Sequence, residues 1–218
     1  VLDVMERIGR EVVSCAVGDG EEGRRLTVRA EVAAPVERVL RACAEPEELA
    51  AWLAPVAGEL REGGDFAVEG NAHGTVLACG PDGDGRLIRL TWLYGEQAVT
   101  SELTVRLAPA ADGGTQVTLD HLATHDPENW DDFGPAAAGV GWDLILLGLT
   151  LHLRGEPVTD PETWQTSAEA TAVKRASVLG WAAALAEWGA GEEHLIHATN
   201  NSLGFYLSAG APPAEADA

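Results

Sequence analysis

One stretch limits what this chain can fold into more than any other: AAAGVGWDLILLGLTLHL, which follows Pro135 and is apolar on almost every side. Pro135 suits a first helical turn, and the length predicts a helix of about five turns. A helix without a polar face has to be covered all round, by a sheet on one side and by further elements on the other. Its longest apolar run, Val140 to Leu153, spans 14 residues and contains Asp143 and His152. That is too short and too polar for a bilayer, so membrane insertion is not expected. Asp143 is expected to have a structural role, facing solvent, capping a neighbouring element or pairing with a cation. An unpaired buried carboxylate is costly or stays protonated.

The covering sheet is legible upstream. Leu26, Val28, Ala30 and Val32 alternate with Thr27, Arg29 and Glu31, as in a half-buried strand. Pro35 stops it, and Val36 to Cys43 and Pro46 to Leu53 read as two short helices with Trp52 and Leu53 as apolar anchors. Residues 57–122 carry the signals of an antiparallel meander of about five strands, turning at Gly63-Gly64, Pro81 to Gly85 and Asp112 to Gly114. Along it Ile88, Leu90, Trp92 and Tyr94 share one face, as do Val99, Ser101, Leu103, Val105 and Leu107, and then Val117, Leu119 and His121.

At the other end of the chain, apolar residues at 1, 4, 5, 8 and 12 predict a short N-terminal helix, ended by the Gly-rich acidic residues 18–23. The segment THDPENWDDFG reads as a loop. Asp160-Pro161 caps a later helix, in which Val178, Trp181, Leu185 and Trp188 recur until Gly189-Ala190-Gly191 breaks it. Leu195, Thr199, Ser202, Leu203 and Tyr206 form a last helix. The expected organisation is an N-terminal helix and linker (1–24), one domain (25–154), a helical extension packed on it (155–210) and a flexible tail (211–218).

Composition narrows the partners. Against 35 acidic residues stand 14 basic ones, of which Lys174 is the only lysine, for a formal charge of −21. Phosphate backbones and anionic membranes are repelled, so no nucleic-acid partner is expected. Cys15, Cys43 and Cys79 are odd in number and have no zinc spacing. They argue against a secreted disulfide framework and predict a cytoplasmic protein with reduced thiols, Cys43 and Cys79 being buried and unreactive. No segment reads as a signal peptide. Glu193-His194 and His197 have helical spacing without an HExxH motif, and no P-loop, dinucleotide fingerprint or Ser-His-Asp order assembles. Neither metal nor cofactor is expected.

A strand, two short helices, a meander and a long C-terminal helix resemble the helix-grip arrangement of START-like and Bet v 1-like domains. The stretch APVERVLRACAEPEELAAWLAPVAGELREGGDF is similar to the opening of the bacterial branch named after the activator of Hsp90 ATPase. So are LIRLTWLYG, TQVTLDHLA and GVGWDLILLGLTLHL. The resemblance covers roughly residues 25–154, and the flanks resemble actinobacterial members with an extra helical C-terminus. It implies an α+β fold, a curved antiparallel sheet wrapped around the long helix, with extra C-terminal helices. It also implies a deep apolar cavity between sheet and helix. Members of the wider superfamily carry lipids, bind hormones, cyclise polyketide chains or protect antibiotic producers, so function has to be argued from residues.

The cavity lining expected on this basis comprises Trp52 and Phe66, then Ile88, Leu90, Trp92 and Tyr94, with Ser101, Leu103 and Val105 on the next strand. Leu119 and His121 follow on the last strand, and Trp142, Ile145, Leu146 and Leu149 on the helix. His121 is either a group that meets a ligand carbonyl or acts as general base, or a core histidine bonded to a backbone carbonyl. Tyr94 is the second polar tip, an acid or orienting donor if reaction occurs. His73, in GNAHGT, marks a turn or a close approach of ligand to backbone. Trp52, Trp92 and Trp142 would stack a flat polycycle or fill the core.

The first expected function is binding of a hydrophobic or polyaromatic small molecule, lipid- or polyketide-like, for transport, sequestration, biosynthesis or self-resistance. The alternative is a cofactor-independent polyketide cyclase, dehydratase or isomerase using His121 and Tyr94. A third is the chaperone-ATPase co-regulation of the namesake proteins. The tryptophans of the extension suit a monomer's lid or a homodimer.

Overall fold

The alternation at Leu26 belongs to a longer strand, β2 (Glu21–Val32), whose partner is not a helix and linker but another strand. In the computed structural model, which describes residues 1–94, 100–158 and 160–208, the N-terminal helix α1 is confined to Leu2–Met5. The chain then enters β1 (Gly9–Val17), paired antiparallel with β2 from Gly9↔Arg29 to Val17↔Glu21. This corrects the helix expected over residues 1–13. Apolar spacing at 4, 5, 8 and 12 fits either element, and the ladder with β2 decides for the strand. The sheet therefore begins at residue 9, and Gly18 and Gly20, both at positive φ, turn the β1–β2 hairpin.

After Val32 come α2 (Val36–Ala44) and α3 (Pro46–Trp52), with Pro46 in the first turn of the second. Six strands follow where about five were expected from the meander signals: β3 (Val56–Gly58), β4 (Asp65–Val68), β5 (His73–Asp82), β6 (Gly85–Thr91), β7 (Ser101–Pro109) and β8 (Thr115–Thr124). All eight strands form one antiparallel sheet in the order β1-β2-β8-β7-β6-β5-β4-β3. The segment read as a loop after β8 is partly helical. In α4 (Pro127–Phe133) the side chain of Asp126 accepts from the Asn129 N–H at 3.3 Å. Val99 and the tail from 211 lie outside the described residues.

The apolar segment is α5 (Ala136–Arg154), closed by left-handed Gly155. By length and composition it would pass as a membrane span, but here it is a core helix laid across the sheet. Its other side is covered by α7 (Ala168–Trp188) and α8 (Glu192–Ser208), and the short α6 (Pro161–Gln165) packs on α7. Two glycines set how closely α7 approaches its neighbours, Gly139 of α5 where that helix meets α7 and Gly180 of α7 where it meets β1. A Cβ on Gly139 would lie 2.2 Å from the Trp181 ring, and one on Gly180 would lie 2.5 Å from the Arg10 guanidinium. Arg10 Nε donates to Asp143 Oδ2 at 2.9 Å, and the Ser177 hydroxyl donates to the same oxygen. Strand β1, helix α5 and helix α7 thus meet at one buried carboxylate. Burial raises the Asp143 carboxyl to about 6, against the smaller opposing pull of Arg10 and Ser177.

Candidate functional site

Two spaces adjoin α5, one between it and the sheet and one reaching from the strand ends to the C-terminal helices, and aromatic rings divide them. The inner one is a cavity of about 440 Å³. Phe66, Ile88, Leu90, Leu103, Val105 and Leu119 line it from the strands, and Ile145, Leu146 and Leu149 from one stripe of α5. Helices α2 and α3 cover its remaining side with Leu40, Cys43, Leu49 and Trp52. Leu40, Cys43 and Leu49 were not anticipated. Val39 and Ala42 form the wholly buried stripe of α2, and the cavity takes the neighbouring stripe, which hydrophobicity alone does not mark.

Polar groups are scarce there. Among the described residues Arg86 is the one ionised side chain on the wall, and it is engaged with Glu37 and with the Gly85 carbonyl at 2.9 Å. Burial pushes the Cys43 thiol up to about 12, which keeps it protonated and without nucleophilic character. Cys79 lines the cavity but is exposed by its position near the end of β5, a correction to the expectation of a buried thiol.

Phe66, Trp92, Trp142 and His121 form a continuous file, with ring centroids 6.2, 5.4 and 5.0 Å apart. Trp52, Trp92 and Trp142 border both spaces. The Trp52 indole donates to the Ala42 carbonyl at 3.0 Å and holds α3 to α2. The buried Trp92 and Trp142 indoles find no acceptor among the described residues.

Beyond this file lies a larger groove of about 890 Å³, where the polar candidates collect. His121 was expected in the cavity. It follows Val117 and Leu119 on the inward side of β8 but stands past Trp142, so it borders the groove instead. Ser101 is corrected in the same way. It is buried on the groove side, and its hydroxyl lies 2.9 Å from His121 Nε2. Burial depresses the His121 imidazole to about 4, so at neutral pH it is uncharged.

Tyr94 also departs from the expected inward row. Strand β6 ends at Thr91, the alternation stops, and Tyr94 is exposed at the groove's edge, donating to Asn71 Oδ1 at 2.7 Å. His73 lines neither space. Its backbone bridges Leu93 through hydrogen bonds of 3.0 and 2.9 Å while its side chain is exposed. Sequence reasoning did not bring Lys174, Asp126, Asn129 or Tyr206 to the site, although all four border the groove. The signal available was that Lys174 is the only lysine.

Two peripheral sets of contacts hold the frame. Glu48 of α3 lies 2.6 Å from His152 Nε2 and 3.1 Å from Arg38 Nη1, which ties the helical cover to the end of α5. The His152 hydrogen bond is the main reason that the Glu48 carboxyl sits below its ordinary range. His194 reaches the Trp130 carbonyl at 3.0 Å and His197 reaches Asp132 at 3.2 Å, so both serve the α4–α8 contact.

Residues 33–154 match the family model described as activator of Hsp90 ATPase homolog 1-like protein. No curated protein matches the chain. Among solved structures, the solution structure of CalU16 from Micromonospora echinospora is 30% identical, with a TM-score of 0.65, over 84% of this chain and 97% of that one. The crystal structure of CalU16 gives 29% identity and a TM-score of 0.64, over 82% and 98% of the two chains. The Aha1 dimer from Colwellia psychrerythraea shares the fold at 17% identity and a TM-score of 0.51, over 61% of this chain and 97% of that one.

Proposed function

From the premise that this chain belongs to the activator of Hsp90 ATPase homolog 1-like family, whose fold commonly binds hydrophobic ligands, we propose that it encloses a flat, apolar small molecule of polyketide-like character. The observation that carries this reading is the inner cavity, about 440 Å³ with a nearly all-apolar wall that includes Phe66, Trp52, Trp92 and Trp142. A site of that size suits a drug-sized ligand, and tryptophan faces favour stacking of aromatic rings over a mobile acyl chain. The protein would carry or sequester its ligand in the cytoplasm, in biosynthesis or self-resistance.

Catalysis by His121 and Tyr94 has less support. The Ser101–His121 pair is within hydrogen-bond reach, as a nucleophile and its base must be. Yet an imidazole held near 4 is a weak base at neutral pH, and among the described residues no carboxylate orients it. Tyr94 spends its proton on Asn71.

Native mass spectrometry of protein taken from its producing cells tests the proposal. A co-purifying mass that is lost on denaturation, with thermal stabilisation by aromatic polyketides, is the expected result. A protein that stays ligand-free and unstabilised, yet is captured by the chaperone, overturns it in favour of the family's namesake role.

A further inference from the structure

Lys174 is unusual on three counts. It is the only lysine in a chain of net charge −21, its exposure is 8%, and it borders the groove rather than the solvent-facing side of α7. Its Nζ donates once, to the Gln165 carbonyl at 3.1 Å, near the end of α6. Among the described residues no carboxylate lies within ion-pair distance of it. Asp126, the acidic side chain bordering the same groove, already accepts from Asn129. With one neutral acceptor among the described residues, the ammonium keeps two donors that an anionic group in the groove could accept.

The rest of the groove fits a ligand with both an apolar and a polar part. One wall is the tryptophan partition shared with the inner cavity, formed by Trp52, Trp92 and Trp142. Beside that partition stands Ser101, and the groove is also bordered by Asn129 and by the Tyr206 hydroxyl, which donates to the Ala136 and Ala137 carbonyls at 3.0 Å. Lys174 and Tyr206 both lie in the C-terminal extension, outside residues 33–154 that match the family.

We infer that the groove is the polar half of the ligand site, and that Lys174 receives an anionic oxygen, such as a carboxylate, of an aromatic ligand whose rings rest on the tryptophan partition. The inference rests on the cavity reading and adds the ligand's charge to it. The extension then contributes to recognition as well as covering α5. Capping of α6 through the Gln165 carbonyl would use one proton of Lys174 and would leave its charge without purpose.

The test uses two probes of one shape, 9-anthracenecarboxylate and 9-anthracenemethanol, titrated by fluorescence into the full chain and into Lys174→Met. The carboxylate is expected to bind the native protein on the order of tenfold more tightly than the alcohol, with the preference abolished in K174M and screened by salt. With ¹⁵N-labelled lysine the chain has a single side-chain Nζ resonance, which should shift with the carboxylate and not with the alcohol. If K174M does not fold, that resonance in the native protein decides. Equal binding of the two probes with an unmoved resonance overturns the inference and leaves the cavity reading standing. Binding of neither probe overturns both.

Discussion

The two sides of α5 are both largely apolar in sequence and opposite in what they meet. Toward α7, Gly139 lies against the Trp181 ring, Val140 has no exposed surface, and Asp143 is held by Arg10 and Ser177. Toward the sheet, Ile145, Leu146 and Leu149 face a cavity of about 440 Å³. Hydrophobicity does not separate a packed face from a binding face. The separation comes from size matching across the contact: glycine receives a tryptophan on one side, while on the other Trp52, Trp92 and Trp142 prop the walls apart.

Truncation on the packed side should have the largest effect. Trp181→Ala is expected to cost about 3–5 kcal/mol, read from the urea midpoint, because the ring is wholly buried. A loss below about 1 kcal/mol would break the contrast, placing that face on a par with a cavity wall.

Titration comes next, because each side holds one displaced group. Asp143 is raised from 3.8 to about 6, so between those values the folded chain binds the extra proton; its contribution is full below pH 4 and is lost as pH rises through 6. His121 is lowered from 6.5 to about 4, so the unfolded chain binds the extra proton; its contribution is full above pH 6.5 and is lost as pH falls through 4. Each amounts to on the order of 3 kcal/mol, and they oppose each other across the same window. The native protein should therefore show a shallow pH dependence of stability between 4 and 6. His121→Asn should leave stability rising on acidification, and Asp143→Asn should leave it falling. Parallel slopes in the two variants would refute the assignment.

Filling the cavity should matter least to folding and most to binding. Ile88→Trp is expected to change stability by no more than about 1 kcal/mol while it abolishes binding of an aromatic probe. A penalty like that of Trp181→Ala would mean that the cavity wall does not yield. Smallest of all, Glu48→Gln should lower stability by roughly 0.5 kcal/mol or less, since the pair is partly exposed. It should speed probe release by loosening α3, an effect readable by stopped flow.

The contrast also explains what could be read from sequence. Periodicity identified the long helix and the inward rows of β7 and β8, because both depend on local repeat alone. Period two says which face a residue takes but not how far along the sheet a crossing helix lies. His121 was therefore placed on the correct face and on the wrong side of Trp142. Tyr94 was misjudged because a strand's end is not marked by alternation, and residues 1–13 because the same apolar spacing serves helix and strand. Lys174 reaches the groove only through the packing of α7 on α5, a contact that no local pattern announces.

The carboxylate shared by β1, α5 and α7 bears on how the chain reaches this state. Arg10 and Asp143 stand 133 positions apart, and Ser177 lies a further 34 beyond Asp143. Loop-closure entropy must be overcome before such distant partners meet, and the contact completes only after residue 177 has been synthesised. Until then the apolar outer side of α5 has no cover. A nascent chain lacking α7 carries the family's domain with its back exposed, and in that interval it is most open to aggregation and to chaperones.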